Sequence, residues 1–239
     1  MKQIISTLSL CGLVLSATAQ DIKIGPEVGG TVNTMWQKIG GYTRDTKYQL
    51  GFKTGGIVDF GITEHFSVQP GLFASFNHGT ESNYQRSYKE GSGTPASETD
   101  KRNYAITYLQ LPVYAVYKTG KEFDDPHIWF GIGPSFNYGI GGRFKQDYVK
   151  YLNGVGSSSP KDEAISYGDN QYRDQVRPLD VWANATIAYE LPVGLYIRGW
   201  YGIGLLNVAP GADANNSLRN SGGGISVGFL FNATHRHSW

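Results

Sequence analysis

The sequence has little cysteine, little excess charge and no long apolar stretch. Cys11 is the single cysteine of the 239 residues, so neither an internal disulfide nor a cysteine-rich metal site can form. The formal net charge of +1 gives no reason to expect nucleic acid or an acidic partner. After residue 20 the chain has no apolar run of about 18 residues, which excludes ordinary membrane-spanning helices.

The first residues have the composition of an export signal. Lys2 provides a positive start, residues 4–15 are mostly apolar, and Ala17-Thr18-Ala19 is a small-x-small cleavage pattern. The apolar part is shorter than the roughly 20 residues that a spanning helix needs. We therefore expect a signal peptide at 1–19 and one domain at 20–239. Cys11 leaves with the signal peptide, so the mature chain has no thiol.

Eight segments alternate between apolar and mixed positions with a period of two, which is typical of β-strands. The chain also has 32 Gly, 16 Tyr, 11 Phe and 5 Trp, a composition that favours an all-β fold. The segments run to about 10–14 residues, against roughly 9–11 for a tilted membrane strand and roughly 5–6 for an average soluble strand. They cover residues 22–32, 50–60, 66–76, 105–118, 128–140, 181–190, 195–205 and 225–231.

The connections between these segments are alternately long and short. The short ones are 61–64, 119–126 and 191–194, and the long ones are 34–47, 78–102, 143–177 and 208–220. This alternation predicts a closed antiparallel up-and-down barrel with every long loop at one end, as in outer-membrane barrels with short periplasmic turns. Because stretches such as 91–95 and 154–160 are polar and rich in turn-forming residues, we expect mobile loops without regular structure.

Alternation fits both a membrane barrel and a soluble, lipocalin-like barrel, and the mixed positions distinguish them. A solvated outer face is rich in Lys and Glu, whereas these positions carry Trp, Tyr and many Gly. The mixed face therefore fits a filled interior, and the apolar face fits membrane lipids. Near the periplasmic end the apolar face carries aromatic residues that we expect at the lipid interface. They are Phe60, Phe66, Tyr117 and Tyr189.

Six charged residues point inward in this arrangement: Lys23, Glu27, Lys53, Asp59, Glu190 and Arg198. Isolated charges in a nearly dry interior are costly, so we expect these residues to pair with one another. The network would either plug the lumen or line a narrow ion or proton path. The plug is favoured, because side chains fill a barrel of eight strands.

Five short motifs resemble, in order and spacing, the landmarks of the PorT-like outer-membrane β-barrel family of Bacteroidota. The resemblance implies an outer-membrane barrel of this size. One member of that family is linked to type IX protein secretion, a role that the motifs do not carry over to this chain. The motifs are Ile24-Gly25-Pro26-Glu27-Val28-Gly29-Gly30, residues 66–72, Tyr108-Leu109-Gln110-Leu111-Pro112-Val113, residues 130–134 and residues 177–181.

The histidines give little support for a catalytic or metal-binding function. His65 and His127 stand at strand starts and are expected as polar residues at the membrane interface. His78 has Ser75, Glu81 and Ser82 nearby and is the best catalytic candidate, at the lip of a long loop. His235 and His237 supply only two ligands, too few for a built metal site. We expect no enzyme, no catalytic residue, no cofactor and no metal.

The sequence thus predicts a plugged, monomeric barrel that is a structural or interaction component of the outer membrane. Membrane lipids and, during biogenesis, the barrel-assembly machinery are its expected partners. The loops 78–102 and 143–177 are expected to face an envelope protein, as in an accessory of a secretion or assembly machine. A narrow pore and a lipid-modifying enzyme remain the alternatives. Trp239 ends either the last strand or a periplasmic tail.

Overall fold

The computed structural model describes residues 21–91, 93–120 and 127–233. The predicted signal peptide, most of the connection 119–126, His235, His237 and Trp239 lie outside the described residues. The strands are β1 (Asp21–Ile39), β2 (Tyr42–Thr43), β3 (Asp45–Lys47), β4 (Gln49–Gly61), β5 (Phe66–Glu90), β6 (Thr94–Lys118), β7 (His127–Leu152), β8 (Val155–Ala164), β9 (Leu179–Glu190), β10 (Leu195–Gly204), β11 (Ser217–Phe229) and β12 (Phe231–Asn232).

Eight of these strands form a closed antiparallel ring. The order is β1, β4, β5, β6, β7, β9, β10 and β11, and β11 pairs back onto β1 from Glu27 opposite Gly228 to Lys38 opposite Ser217. The predicted all-β, up-and-down barrel of eight strands is therefore confirmed. None of the described segments is a helix of the length and apolar character that crossing a membrane requires.

Burial alternates along the ring strands. On β7, Ile132 is 69% exposed whereas Trp129 is fully buried, and on β9 Trp182 is buried between the half-buried Val181 and the exposed Ala183. The apolar positions therefore form the outer surface of the barrel, and the mixed positions fill its interior. This follows from the strand period of two, which sends successive side chains to opposite faces of the sheet.

Two of the long connections are mainly strand, which corrects the expectation of loops without regular structure. Strands β5 and β6 stay paired through residues 78–102 to Glu90 opposite Thr94. Strand β7 likewise continues to Leu152 and turns at Asn153 and Gly154, both with positive φ, into β8. Because these strands are polar on both faces, their sequence lacks the alternation that identified the others. The β5–β6 hairpin rises about 40 Å beyond the bulge of β5.

Two irregularities change which residues face inward. The register shifts between Ser75 and His78 on β5, where Asn77 has φ 56°, and again where Thr107 and Tyr108 meet residues 139–141 of β7. Such a shift moves all following side chains to the opposite face. On β5 the buried residues are consequently odd-numbered below the shift and even-numbered just above it, as Phe73 and His78 illustrate.

Candidate functional site: the barrel interior and its mouth

The first layer of the interior lies at the end where β4 meets β5 and β9 meets β10. Here Lys23 Nζ lies 3.0 Å from Glu190 Oε1, and His127 Nε2 lies 3.2 Å from Glu190 Oε2. The Lys118 ammonium forms an ion pair with Asp59. All five side chains are buried. Their mutual pairing offsets the cost of removing these charges from water.

The second layer is centred on Glu27, which is 2% exposed. Its carboxylate lies 2.9 Å from Lys53 Nζ and 3.2 Å from Arg198 Nη1. The Tyr196 hydroxyl donates to one carboxylate oxygen at 2.8 Å and the Ser226 hydroxyl to the other at 2.7 Å. The carboxylate is thus surrounded by four donors from three strands, β4, β10 and β11, an arrangement that a buried charge needs in order to be tolerated.

Aromatic rings fill the space around these cations. The Arg198 guanidinium carbon lies 4.5 Å from the Trp129 ring centroid, and Lys53 Nζ lies 4.5 Å from that of Phe73 and 4.7 Å from that of Trp200. At these distances the rings attract the cations as well as exclude water. The cavity left beside Lys53 has a volume of about 20 Å³, which is room for about one water.

The structure places all six of the predicted interior charges inside the barrel and gives each an ionic partner there. Lys118 and His127 join them, although neither was predicted as part of the network. Lys118 lies at one of the inward positions of its strand, so its place in the network could have been predicted from the alternation. His127 was expected at the membrane interface, as was His65, whose Nδ1 lies 3.1 Å from the Lys118 carbonyl. Only the fold brings His127 against Glu190.

The third layer contains His78, which is fully buried. Its ring centroid lies 5.3 Å from that of Tyr108 and 5.1 Å from that of Trp182, both edge-on. The expected position at the lip of a loop is therefore wrong, because His78 follows the register shift of β5 and points into the barrel. Glu81, its nearest acidic residue in sequence, is exposed. Among the described residues, no serine hydroxyl or carboxylate forms a hydrogen bond with the His78 ring.

An apolar cluster, here termed the plug, closes the lumen above His78. Part of it comes from segments between strands: Ile165 and Val176 follow β8, and Val208 and Ala209 follow β10. Portions of two predicted loops thus fold back over the barrel. The buried residues of the plug are Met35, Tyr104, Ile106, Tyr108, Phe144, Ile165, Val176, Val208, Ala209 and Leu218.

A cavity of about 340 Å³ lies at the mouth, with Tyr104, Phe144 and Leu218 of the plug in its lining. Arg102 also lines it and is held by Asp100, which bonds Arg44 at 2.8 Å as well. Burial raises the pKa of Asp100, but the guanidinium groups of Arg102 and Arg44 outweigh it and hold that pKa below its ordinary value. The remaining lining includes Gln37, Lys38, Gln146, Lys161, Arg173 and Asp174.

Exposed aromatic rings mark both ends of the apolar outer surface. At the short-turn end Phe66, Tyr117 and Tyr189 are 57%, 43% and 44% exposed, Phe60 is half-buried, and Phe66 packs edge-on against Tyr117. At the opposite end the exposed rings include Trp36, Tyr48, Tyr138 and Tyr201. Within the described ranges no group of three or more His, Cys, Asp or Glu side chains is placed to bind a metal ion.

Known proteins resemble the chain at the level of the barrel. The family model of the outer membrane protein beta-barrel domain matches residues 18–210. Among solved structures, OprG from Pseudomonas aeruginosa has 10% identity and TM-score 0.44, with 90% of this chain and 98% of that chain covered. Ail, the attachment invasion locus protein of Yersinia pestis, has 10% identity and TM-score 0.39, with 89% and 100% covered. No curated protein matches the chain.

Proposed function

Because this chain belongs to the outer membrane protein beta-barrel domain family, we propose that it is a closed, non-conducting barrel that carries an extracellular recognition sheet. It is a structural or interaction component of the outer membrane and not an enzyme. Export by the signal peptide at 1–19, folding by the barrel-assembly machinery and membership of the PorT-like group of Bacteroidota are parts of the same proposal.

The observation that carries the closed state is the filling of the lumen at successive levels. Above the paired charges around Glu190 lie the Glu27 network, the ring of His78 and the apolar plug. A conducting path needs a continuous string of water or of exchangeable polar groups. The plug is made of apolar side chains apart from the hydroxyl groups of Tyr104 and Tyr108, and the cavity beside Lys53 has the volume of about one water.

Conductance in planar lipid bilayers tests the closed state. The purified mature chain is expected to give no steady single-channel steps at any ordinary voltage. Insertion is verified separately, because a folded barrel migrates faster than its heated form in a denaturing gel. Regular current steps from folded, inserted protein would contradict the proposal and favour the narrow pore.

The recognition role rests on the extracellular sheet formed by the upper parts of β5, β6 and β7 together with β8. Every residue of β8 is exposed, and within the described ranges β8 pairs only with β7. On the sheet, Arg86 pairs with Glu98 and the Tyr148 hydroxyl donates to Glu98 at 3.0 Å, so that its side chains are held in place. An ordered polar sheet on a rigid barrel suits contact with an envelope protein.

A shortened hairpin tests this role. Residues 84–100 are replaced by Asn-Gly, which forms a two-residue β-turn and leaves the barrel strands intact. After gentle extraction of native outer membranes, a partner is expected to co-purify stoichiometrically with the full chain and to be lost with the shortened one. A partner that stays bound to the shortened barrel contradicts the role of the sheet, and so does the lack of any partner for the full chain.

A further inference from the structure

The mouth cavity combines a closed floor with an excess of positive charge. We propose that it is a binding site for an acidic saccharide, held by Lys38, Lys161 and Arg102 against the plug. The proposal rests on the closed barrel proposed above, because the plug forms the floor and makes the cavity a blind site. At about 340 Å³ the cavity has the size of a small ligand pocket, which is about 300–1,000 Å³.

The charge of the lining calls for an anion. Four cations and one carboxylate line the cavity. That carboxylate, Asp174, already accepts from Arg173 Nε at 3.0 Å, from the Ser166 hydroxyl at 2.9 Å and from the Asn170 backbone N–H at 2.9 Å. Lys38, Lys161 and Arg102 are left as three positive charges around one space, although the whole chain has a net charge of only +1.

Neighbouring groups leave this charge in place. Asp100 is the carboxylate next to Arg102, and it is shared with Arg44, so one negative charge faces two positive ones. The Lys38 ammonium donates to the Ala214 carbonyl at 2.9 Å, a neutral acceptor that leaves its charge uncompensated. Cations grouped in a concave surface attract anions more strongly than the same cations on a flat one.

A buried acceptor calls for a hydroxyl group on the same ligand. Gln37 is 3% exposed and lines the cavity, and its Oε1 has no hydrogen-bond partner among the described residues, while its Nε2 lies 3.5 Å from the Tyr104 hydroxyl. A buried acceptor without a donor is energetically unfavourable, because it has lost its hydrogen bonds to water without gaining others. A ligand with hydroxyl groups can donate to this oxygen and remove the penalty. An inorganic anion without a donor cannot.

The floor fits the remaining part of a sugar. The Tyr104 and Phe144 rings lie side by side with centroids 5.0 Å apart, and Leu218 adjoins them. Such a floor accepts the C–H face of a pyranose, while the hydroxyl groups face Gln37 and Gln146 and the carboxylate faces the cations. A negative charge, hydroxyl donors and an apolar face occur together in sugar acids and in phosphorylated sugars.

Titration calorimetry on the full mature chain in lipid nanodiscs tests the site, with digalacturonic acid as the probe and a neutral galactose disaccharide as its comparison. The acidic probe is expected to bind at least about tenfold more tightly, because only its carboxylates form charge-assisted hydrogen bonds with the cations, and these are stronger than neutral hydrogen bonds. Added salt should weaken the binding. Equal affinity for both sugars, or no binding of either, overturns the proposal.

Variants locate the binding. Lys38→Gln combined with Lys161→Gln should weaken the binding of the acidic probe by at least about tenfold. Gln37→Leu should weaken the binding of both sugars. Lys145→Gln is the matched control, because Lys145 is exposed on the opposite face of the same sheet. An equal loss with Lys145→Gln contradicts the site. If the protein gives no current steps and binds no sugar, the saccharide site is refuted and the closed barrel is kept. If it gives current steps and still binds the acidic sugar, only the closed barrel is refuted.

A competition arm identifies the source of the saccharide. Purified lipopolysaccharide is titrated against bound digalacturonic acid in nanodiscs made without it. Displacement supports a site for the acidic sugars of the membrane's own lipopolysaccharide. If lipopolysaccharide does not change the binding of the probe, the result supports a site for soluble acidic saccharides outside the cell.

Discussion

The Lys53 ammonium lies 2.9 Å from the Glu27 carboxylate in the middle of the closed barrel, and both side chains are buried. The two residues come from adjacent strands β1 and β4, and Arg198 of β10, two strands from β1 in the other direction around the ring, reaches the same carboxylate. The barrel is therefore tied across its interior by charge as well as around its wall by hydrogen bonds.

Glu27→Gln should lower the free energy of unfolding by about 3–5 kcal/mol, because it leaves two buried cations without their anion. Urea unfolding in lipid, followed by tryptophan fluorescence, measures the change. Glu64→Gln is the control, since Glu64 is exposed in the short turn between β4 and β5 and its loss should be within about 0.5 kcal/mol. Equal stability of the two variants would show that the ion pairs are weak.

His78 distinguishes packing from catalysis. His78→Phe preserves ring contacts with Tyr108 and Trp182 and should cost less than about 1.5 kcal/mol, whereas His78→Ala should cost about 2–4 kcal/mol. Neither variant should change the mass profile of lipid A in the membrane. A change of that profile that depends on His78, in cells with equal barrel levels, would instead identify a lipid-modifying enzyme.

The stability of the extracellular sheet should depend on the protonation of Asp100 at acid pH. Its folded pKa is lowered, so it contributes stability that is complete above its unfolded pKa of about 3.9 and is lost as the pH falls through the folded value. NMR titration of the Asp100 carboxyl carbon measures the midpoint. Arg44→Gln should raise that midpoint, because it removes one of the two guanidinium groups. An unchanged midpoint contradicts the role of Arg44.

A charged side chain in the middle of the apolar outer surface should destabilise the barrel. Ile132→Arg places a cation on the apolar outer surface, where the Ile132 side chain is 69% exposed, and should destabilise the barrel in lipid by about 2–4 kcal/mol. Ser87→Arg is the matched control, because Ser87 is exposed on the extracellular sheet, and it should leave the stability unchanged. Unfolding titrations in lipid compare both variants with the parent chain. Tolerance of Ile132→Arg would argue against lipid contact there.

Much of the barrel could be predicted from local pattern. The eight segments, their two faces and the inward position of charges such as Glu27 and Arg198 follow from a period of two, which each strand displays within a few residues. The strand extensions beyond Asn77 and Gly142 could not be predicted in this way. Their two faces are both polar, and β-pairing of such segments depends on a partner strand and not on their own sequence.

The sequence by itself determined that this protein is a closed barrel of eight strands with an apolar outside and a filled inside. Only the tertiary structure decided which charges meet, as for Lys23 and Glu190, which are 167 positions apart in the chain. It also decided that His78 turns inward at a register shift and that Ile165 and Val208 help to close the lumen. The physical reason is that alternation is encoded locally, whereas pairing, register and the cavity arise only where distant strands meet.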